Sequence, residues 1–96
     1  MNRLFITPAA ERDLQAILEY IARDRAHTAR ATIARIKATM ALLATQPLMG
    51  QRRPGFPEDQ RSFPTVRWVI FYRVVDDGIE VHRVIDGARD IDNLFG

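Results

Sequence analysis

Arg61, Arg73, Arg83 and Arg89, with His82, all fall in the strands of the C-terminal part of the chain or just after them. A guanidinium presents five N–H donors in a planar fork suited to carboxylate or phosphate, and an imidazole titrates near neutrality. Gathered on one face, such a set would grip an anionic surface or stabilise a phosphoryl transition state. Glu80, Asp86 and Asp90 lie close by in sequence, and pairing across neighbouring strands accounts for the same arginines without any catalysis. Whether Arg73 and Arg83 share a face depends on strand register.

Other chemistries find less support. His27 and His82 are the only imidazoles, the chain has no cysteine, and no H-x-x-x-H spacing occurs, so no metal site is expected. Ser62 is the sole serine and lacks a G-x-S-x-G setting, which leaves a strand-edge hydroxyl rather than a nucleophile. No glycine-rich run precedes a helix, so no phosphate cradle and no cofactor is expected. Asp76 and Asp77 are side by side where a turn favours Asp, and Asp90 and Asp92 read as solvated charges. No catalytic residue is assigned on these grounds.

The elements that must position these groups follow from composition and pattern. With 96 residues, 47% hydrophobic and 27% charged, the chain reads as one globular domain over residues 1–96. The absence of cysteine excludes a disulfide framework. The net charge is only +2, with thirteen Arg and a single Lys, Lys37. That balance supplies no broad polycationic field, so no direct sequence-specific contact with nucleic acid is expected. The longest apolar run, Trp68 to Tyr72, is far too short to span a bilayer. No secretion signal is visible, and a cytoplasmic protein is expected.

Residues 3–6 read as a strand that ends at Thr7-Pro8, a cap followed by a first-turn proline. Leu14, Ile17, Leu18 and Ile21 recur at helical spacing and predict an amphipathic helix over about residues 8–23. Thr28 is the expected cap of a second helix, whose buried stripe is Ile33, Ile36, Met40 and Leu43. The short connection predicts an antiparallel helical hairpin. Residues 47–57 hold three prolines and two glycines and predict an ordered loop. Strands are expected over 61–63, 67–75 and 79–85, with Asp76-Asp77-Gly78 as a hairpin turn using positive φ. Residues 68–75 are apolar on both faces, as in a central strand. One face is expected to take the helices and the other to be left as a shallow, partly apolar concavity open to cover by something else. The expected fold is α+β, in the order β-α-α-β-β-β, with the N-terminal helical hairpin packed on one face of a small antiparallel sheet.

The ordered series IFYRV from residue 70, DDGIEV from 76, and RV..GARD from 83 to 90 resembles the ParE branch of the ParE/RelE toxin superfamily. The opening TPAAERDL helix and Pro47-Leu-Met-Gly50 fit as well, so the likeness covers nearly the whole chain. The resemblance implies a toxin of a type II toxin–antitoxin pair that arrests growth and is neutralised by a ParD-like antitoxin from an adjacent gene. RelE-like members cut messenger RNA on the ribosome, whereas ParE-like members are described as poisoning DNA gyrase. In that register Val69 stands where the nucleases carry a sheet Arg and Phe95 near their terminal Tyr; only Arg89 matches a basic catalytic position. Asp86 also departs from the His that many ParE members carry. The expectation is therefore a non-enzymatic gyrase inhibitor with target contacts at Arg61, Arg83, Arg89 and Phe95. Antitoxin contacts, through an amphipathic helix and an added strand, are expected at Leu18, Ile21, Val69, Phe71 and Arg73. Two alternatives stay open: a ribosome-dependent endoribonuclease acting through Arg61, Arg73, His82 and Arg89, and an inactivated toxin that retains only antitoxin binding.

Overall fold

The computed structural model describes residues 2–57, 59–65 and 67–87. Strand β1 (Arg3–Ile6) turns Leu4 and Ile6 to the core and leaves Arg3 and Phe5 outward. Thr7 then starts helix α1 (Pro8–Ala22) in extended backbone geometry, and its hydroxyl accepts from the Ala10 amide at 3.2 Å. The same hydroxyl donates to the His82 carbonyl at 3.0 Å, so one residue both caps the helix and ties it to the last strand. Ala10, Leu14 and Ile17 form the buried stripe of α1.

Helix α2 (Ala26–Thr45) starts two residues before the expected Thr28 cap, from Arg25, which offers no side-chain cap. The Asp24 and Arg25 amides both donate to the Ile21 carbonyl, and this tight link brings fully buried Ala29 against the hairpin. The backbone bonds of this link, rather than side-chain capping, mark that start. The stripe of Ala29, Ile36, Met40, Leu43 and Ala44 is buried, with Ile33 partly so.

A single 3₁₀ turn (Pro47–Met49) follows, then β2 (Gln51–Arg52), β3 (Gln60–Thr65), β4 (Trp68–Val75) and β5 (Gly78–Asp86). The five strands run in the order β1-β5-β4-β3-β2. The α+β class and the helical hairpin on one face match expectation, but the sheet is mixed: β1 lies parallel to β5, with Arg3 opposite Gly78 and Ile6 opposite Val81. A chain that returns through a helical hairpin can enter the far edge of its sheet in parallel, and no local pattern announces that pairing. The stretch expected to be loop contributes the short edge strand β2.

The hairpin between β4 and β5 forms where expected, with Val75 opposite Gly78 and Asp76-Asp77 between them. Its mechanism differs. Among the described residues only Asn2 and Gly55 have positive φ, so the turn does not use it. Gly78 instead serves the sheet: a Cβ there would lie 1.9 Å from the Arg3 carbonyl oxygen.

The main core joins Leu14, Ile17, Ile36, Met40 and Leu43 of the helices to Trp68, Ile70, Tyr72, Ile79, Val81 and Val84 of the sheet. A second, smaller cluster of Val69, Phe71 and Ile85 occupies the opposite face, packed against Phe56. That face is therefore not the open concavity expected from the pattern. The 53–56 turn folds over it, with the Phe56 ring 6.0 Å from Phe71 and the Arg53 guanidinium 5.7 Å from the same ring. The proline-rich turn, near in space, thus covers Phe71, the largest side chain of this cluster. No helix among the described residues is long and apolar enough to cross a membrane.

Candidate functional site

Among the described residues, Arg61, Arg73 and Arg83 do not converge. Phe63 packs into the helix-side core, and Arg61, two residues before it, lies on that same side, where its Nη1 donates to the Gly50 carbonyl at 2.8 Å. There it braces the turn that Tyr72 also holds: the Tyr72 hydroxyl accepts from the Gly50 amide at 2.8 Å and donates to the Pro47 carbonyl at 2.7 Å. Burial pushes the Tyr72 phenol above its ordinary range.

Arg83 turns to α1. Its Nε and Nη2 donate to the two oxygens of Asp13 at 2.8 and 3.0 Å, a bidentate pair. The hydrogen bond to Asp13 raises the Arg83 pKa, so the guanidinium is charged at all working pH. Asp13 Oδ2 also accepts from the Val84 amide at 2.9 Å.

Arg73 faces the other way. It sits opposite Glu80 in the ladder, its Nε donates to Glu80 Oε1 at 3.4 Å, and its Nη1 lies 3.6 Å from Asp59. The same Glu80 oxygen is hydrogen-bonded to His82 Nε2 at 2.7 Å. The β4–β5 register slips between Phe71 and Tyr72, whose partners are Arg83 and Val81, so His82 is the extra residue of a β-bulge. Arg83 follows that bulge opposite Phe71 in the ladder, yet its side chain reaches Asp13 of α1, whereas Arg73 stays with Glu80 on the face away from the helices.

Arg73, Glu80 and His82 thus form a compact charged group. Hydrogen bonding by His82 holds the Glu80 carboxyl below its ordinary value of 4.5. A lowered carboxyl pKa stabilises the fold above the unfolded value, and that contribution is lost as pH falls through the lowered one. With Glu80 about one-third exposed, the effect stays below about 1 kcal/mol. Glu80→Gln is expected to flatten the acid side of the stability profile, read as urea midpoints at neutral pH and below 4.5; an unchanged slope would show that the pair does not form.

The nuclease set of the alternative reading is divided by the sheet. Arg73 and His82 are on one side and Arg61 is on the other, engaged with Gly50. Scission by 2′-hydroxyl attack needs a base and cations around one phosphorane. The described residues bring together His82 and Arg73 alone. Arg89 and Phe95 lie outside the described residues. Among the expected antitoxin contacts, Leu18 and Ile21 are partly buried on the hairpin, with Ile21 packed against the core. Arg73 is partly exposed, Val69 is buried and Phe71 has no exposed surface, so Phe71 is not a contact while the 53–56 turn covers it.

Residues 4–91 match the family model of the ParE toxin of the type II toxin–antitoxin system parDE. The chain belongs to the ParE toxin family. It is thus the toxin component of a type II pair. No curated protein matches this ParE chain. Solved structures resemble it in fold. One, described as a chromosomal ParDE toxin–antitoxin system from P. aeruginosa, is 21% identical with a TM-score of 0.72, over 86% of this chain and 92% of that one. Two others are E. coli DinJ–YafQ toxin–antitoxin complexes. One is 16% identical with a TM-score of 0.64 over the whole of both chains. The other is 18% identical with a TM-score of 0.63, over 98% of this chain and 97% of that one. The ParE member therefore shares its fold with structures from both kinds of pair.

Sequence reasoning missed a further group on the flank of the molecule: Asp13, Tyr20, Arg67, Trp68 and Asp86. Arg67 hydrogen-bonds Asp86 and stacks 5.0 Å over the Trp68 ring. The hydrogen bond to Asp86 raises the Arg67 pKa. Asp13 and Arg83 stand 70 residues apart, which no motif spans. Trp68, the chain's single tryptophan, was the one legible signal.

Proposed function

We propose that this ParE toxin acts in the cytoplasm by binding DNA gyrase without cutting RNA, and that a ParD-like antitoxin encoded beside it holds it inactive. The observation that carries this reading is the division of the nuclease set among the described residues: Arg61 braces a turn on the helix side, and of that set Arg73 alone joins His82 on the far face, while Arg83 is clamped by Asp13. Adhesion does not need a convergent acid–base set, whereas phosphodiester cleavage does. The target contacts in this reading are Arg83, Arg89 and Phe95, with Arg61 acting indirectly through the turn it holds. Antitoxin contacts fall on the hairpin at Leu18 and Ile21 and on the sheet at Arg73, with Val69 reached only where an added segment displaces its cover. With purified gyrase and supercoiled plasmid, toxin excess is expected to stop supercoiling and to leave linear, protein-linked DNA. Full supercoiling with no trapped cleavage would overturn the reading.

One observation favours the endoribonuclease alternative: His82 is oriented by a carboxylate and flanked by a guanidinium on the face away from the helices. If that is the activity, translated messages show codon-phased cuts by primer extension, and His82→Ala removes them.

A further inference from the structure

Beyond Ile6, β1 stops while β5 continues, so among the described residues the outer edge of residues 82–86 has no strand beside it. Helix α1 runs past this edge, and a cleft of about 480 Å³ opens between its 13–20 flank and residues 67–68 and 83–86. That volume lies within the range of roughly 300–1,000 Å³ usual for sites that receive one compact group.

Three features define what the cleft accepts. First, its backbone edge is already partly engaged. Asp13 takes the Val84 amide and the Thr7 hydroxyl takes the His82 carbonyl, so an added strand would have to displace both side chains. Recognition here runs through side chains instead. Second, the floor is apolar: Ile17, Trp68, Val84 and Ile85 line it, while Tyr20 stands as a wall with 56% of its surface exposed. An aromatic-lined apolar pocket of this kind is typical of those that receive an interface anchor.

Third, the two ion pairs of the cleft are lopsided. The Asp13 and Asp86 side chains are each 16% exposed, whereas Arg83 and Arg67 are 41% and 54% exposed. The carboxylates face inward and the guanidinium groups face solvent, so the rim is positive although the cleft as a whole is neutral. Each guanidinium carries five N–H donors, and Arg67 uses one on Asp86. An apolar floor under a rim of exposed guanidinium groups fits a large apolar side chain flanked by a carboxylate. A nucleic acid would bring phosphates without filling the floor, and would meet Asp13 and Asp86.

We infer that this cleft is the anchor site for an acidic–apolar segment of the antitoxin, in which one Leu, Phe or Trp side chain seats against Trp68 and Tyr20 while a neighbouring Asp or Glu pairs with Arg67 or Arg83. The inference rests on the reading that a polypeptide antitoxin neutralises this chain. It adds the place and the chemistry of the anchor.

Because Trp68 is the only tryptophan, full-length toxin grown with 5-fluorotryptophan gives one ¹⁹F resonance, from the side chain where the cleft meets the core. On titration with the intact, unlabelled, neighbour-encoded antitoxin, that resonance is expected to shift and saturate at the binding stoichiometry. Arg67→Glu is expected to weaken binding at least tenfold and to steepen the loss in high salt no further. Tyr20→Ala is expected to weaken it several-fold. Both residues are exposed, so both variants keep the fold. Phe5→Ala, on the other side of the sheet, is expected to leave affinity unchanged. Binding with the resonance unmoved, or with equal affinity for the Arg67→Glu and parent proteins, overturns the anchor and leaves the antitoxin reading standing. No binding of intact antitoxin by any readout overturns both. A shift produced by a single-stranded oligonucleotide but not by antitoxin overturns the anchor in favour of a nucleic-acid site.

Discussion

Gly78→Ala is expected to drive the first strand off the sheet and to lower the unfolding free energy by roughly 3 kcal/mol or more, combining overpacking with lost strand hydrogen bonds. The added Cβ would lie 1.9 Å from the Arg3 carbonyl oxygen and 2.6 Å from the Arg3 nitrogen. Both are backbone atoms of the neighbouring strand, and neither can yield unless β1 moves as a unit. The Arg3 amide, which donates to the Asp77 carbonyl at 2.7 Å, and the Thr7 amide, which donates to the Val81 carbonyl at 3.0 Å, would lose their partners together. Loss of Thr7 from its place would also loosen the start of α1. The measurement is urea unfolding with amide exchange at Arg3 and Thr7. A drop in melting temperature of about 12–24 °C corresponds to a 3 kcal/mol loss in a domain of this size. A variant within 1 kcal/mol of the parent, with both amides still protected, would contradict the parallel β1–β5 pairing.

Tyr72→Phe is expected to cost about 2–3 kcal/mol, although it removes a single oxygen and opens no apolar cavity. The ring stays packed, but the Gly50 amide, which is buried, and the Pro47 carbonyl both lose the hydroxyl. A buried donor left without a partner costs more than the net worth of the bond it made. Of the side-chain hydrogen bonds described for the turn at 47–50, that from Arg61 to the Gly50 carbonyl remains. The substitution has a second signature. Since burial raises the Tyr72 pKa, the folded state holds its phenolic proton more tightly than the unfolded chain does. Stability therefore falls as pH rises past the ordinary phenol value of 10.0, and Phe at this position removes that alkaline component. Urea midpoints at neutral pH and above 10 test both parts. Equal midpoints for parent and variant at neutral pH would show that the hydroxyl does not bridge the turn.

Some of this architecture was legible in residue order. Thr7-Pro8 announces the start of α1 because a cap and a first-turn proline are local chemistry. The 3.6-residue recurrence of Leu14, Ile17 and Ile21 names the buried face because a helix repeats it within a few turns. The run from Trp68 to Val75, apolar on both faces, marks β4 as central, and its partner β5 follows across a two-residue turn. Each of these signals acts between neighbours along the chain. The start of α2 is not legible in this way: Thr28 has the chemistry of a cap, but the chain between the helices closes earlier, through the Asp24 and Arg25 amides on the Ile21 carbonyl.

What folding alone decided was the company each charged group keeps. Basic residues clustered along the chain could have shared one face; among the described ones the pleat sends Arg61 and Arg73 to opposite sides, and a bulge at His82 resets the register beside Arg83, which Asp13 draws to α1. A bulge shifts the side-chain alternation by one residue, and no composition or spacing announces it. The parallel seat of β1 beside β5 and the cleft lined by Asp13, Tyr20, Arg67 and Trp68 likewise join residues separated by most of the chain. Residue order thus determined the helices, the central hairpin and the family; the tertiary structure determined which arginines are braces and which face a partner, because those roles depend on distances across the fold that short-range sequence preferences do not encode.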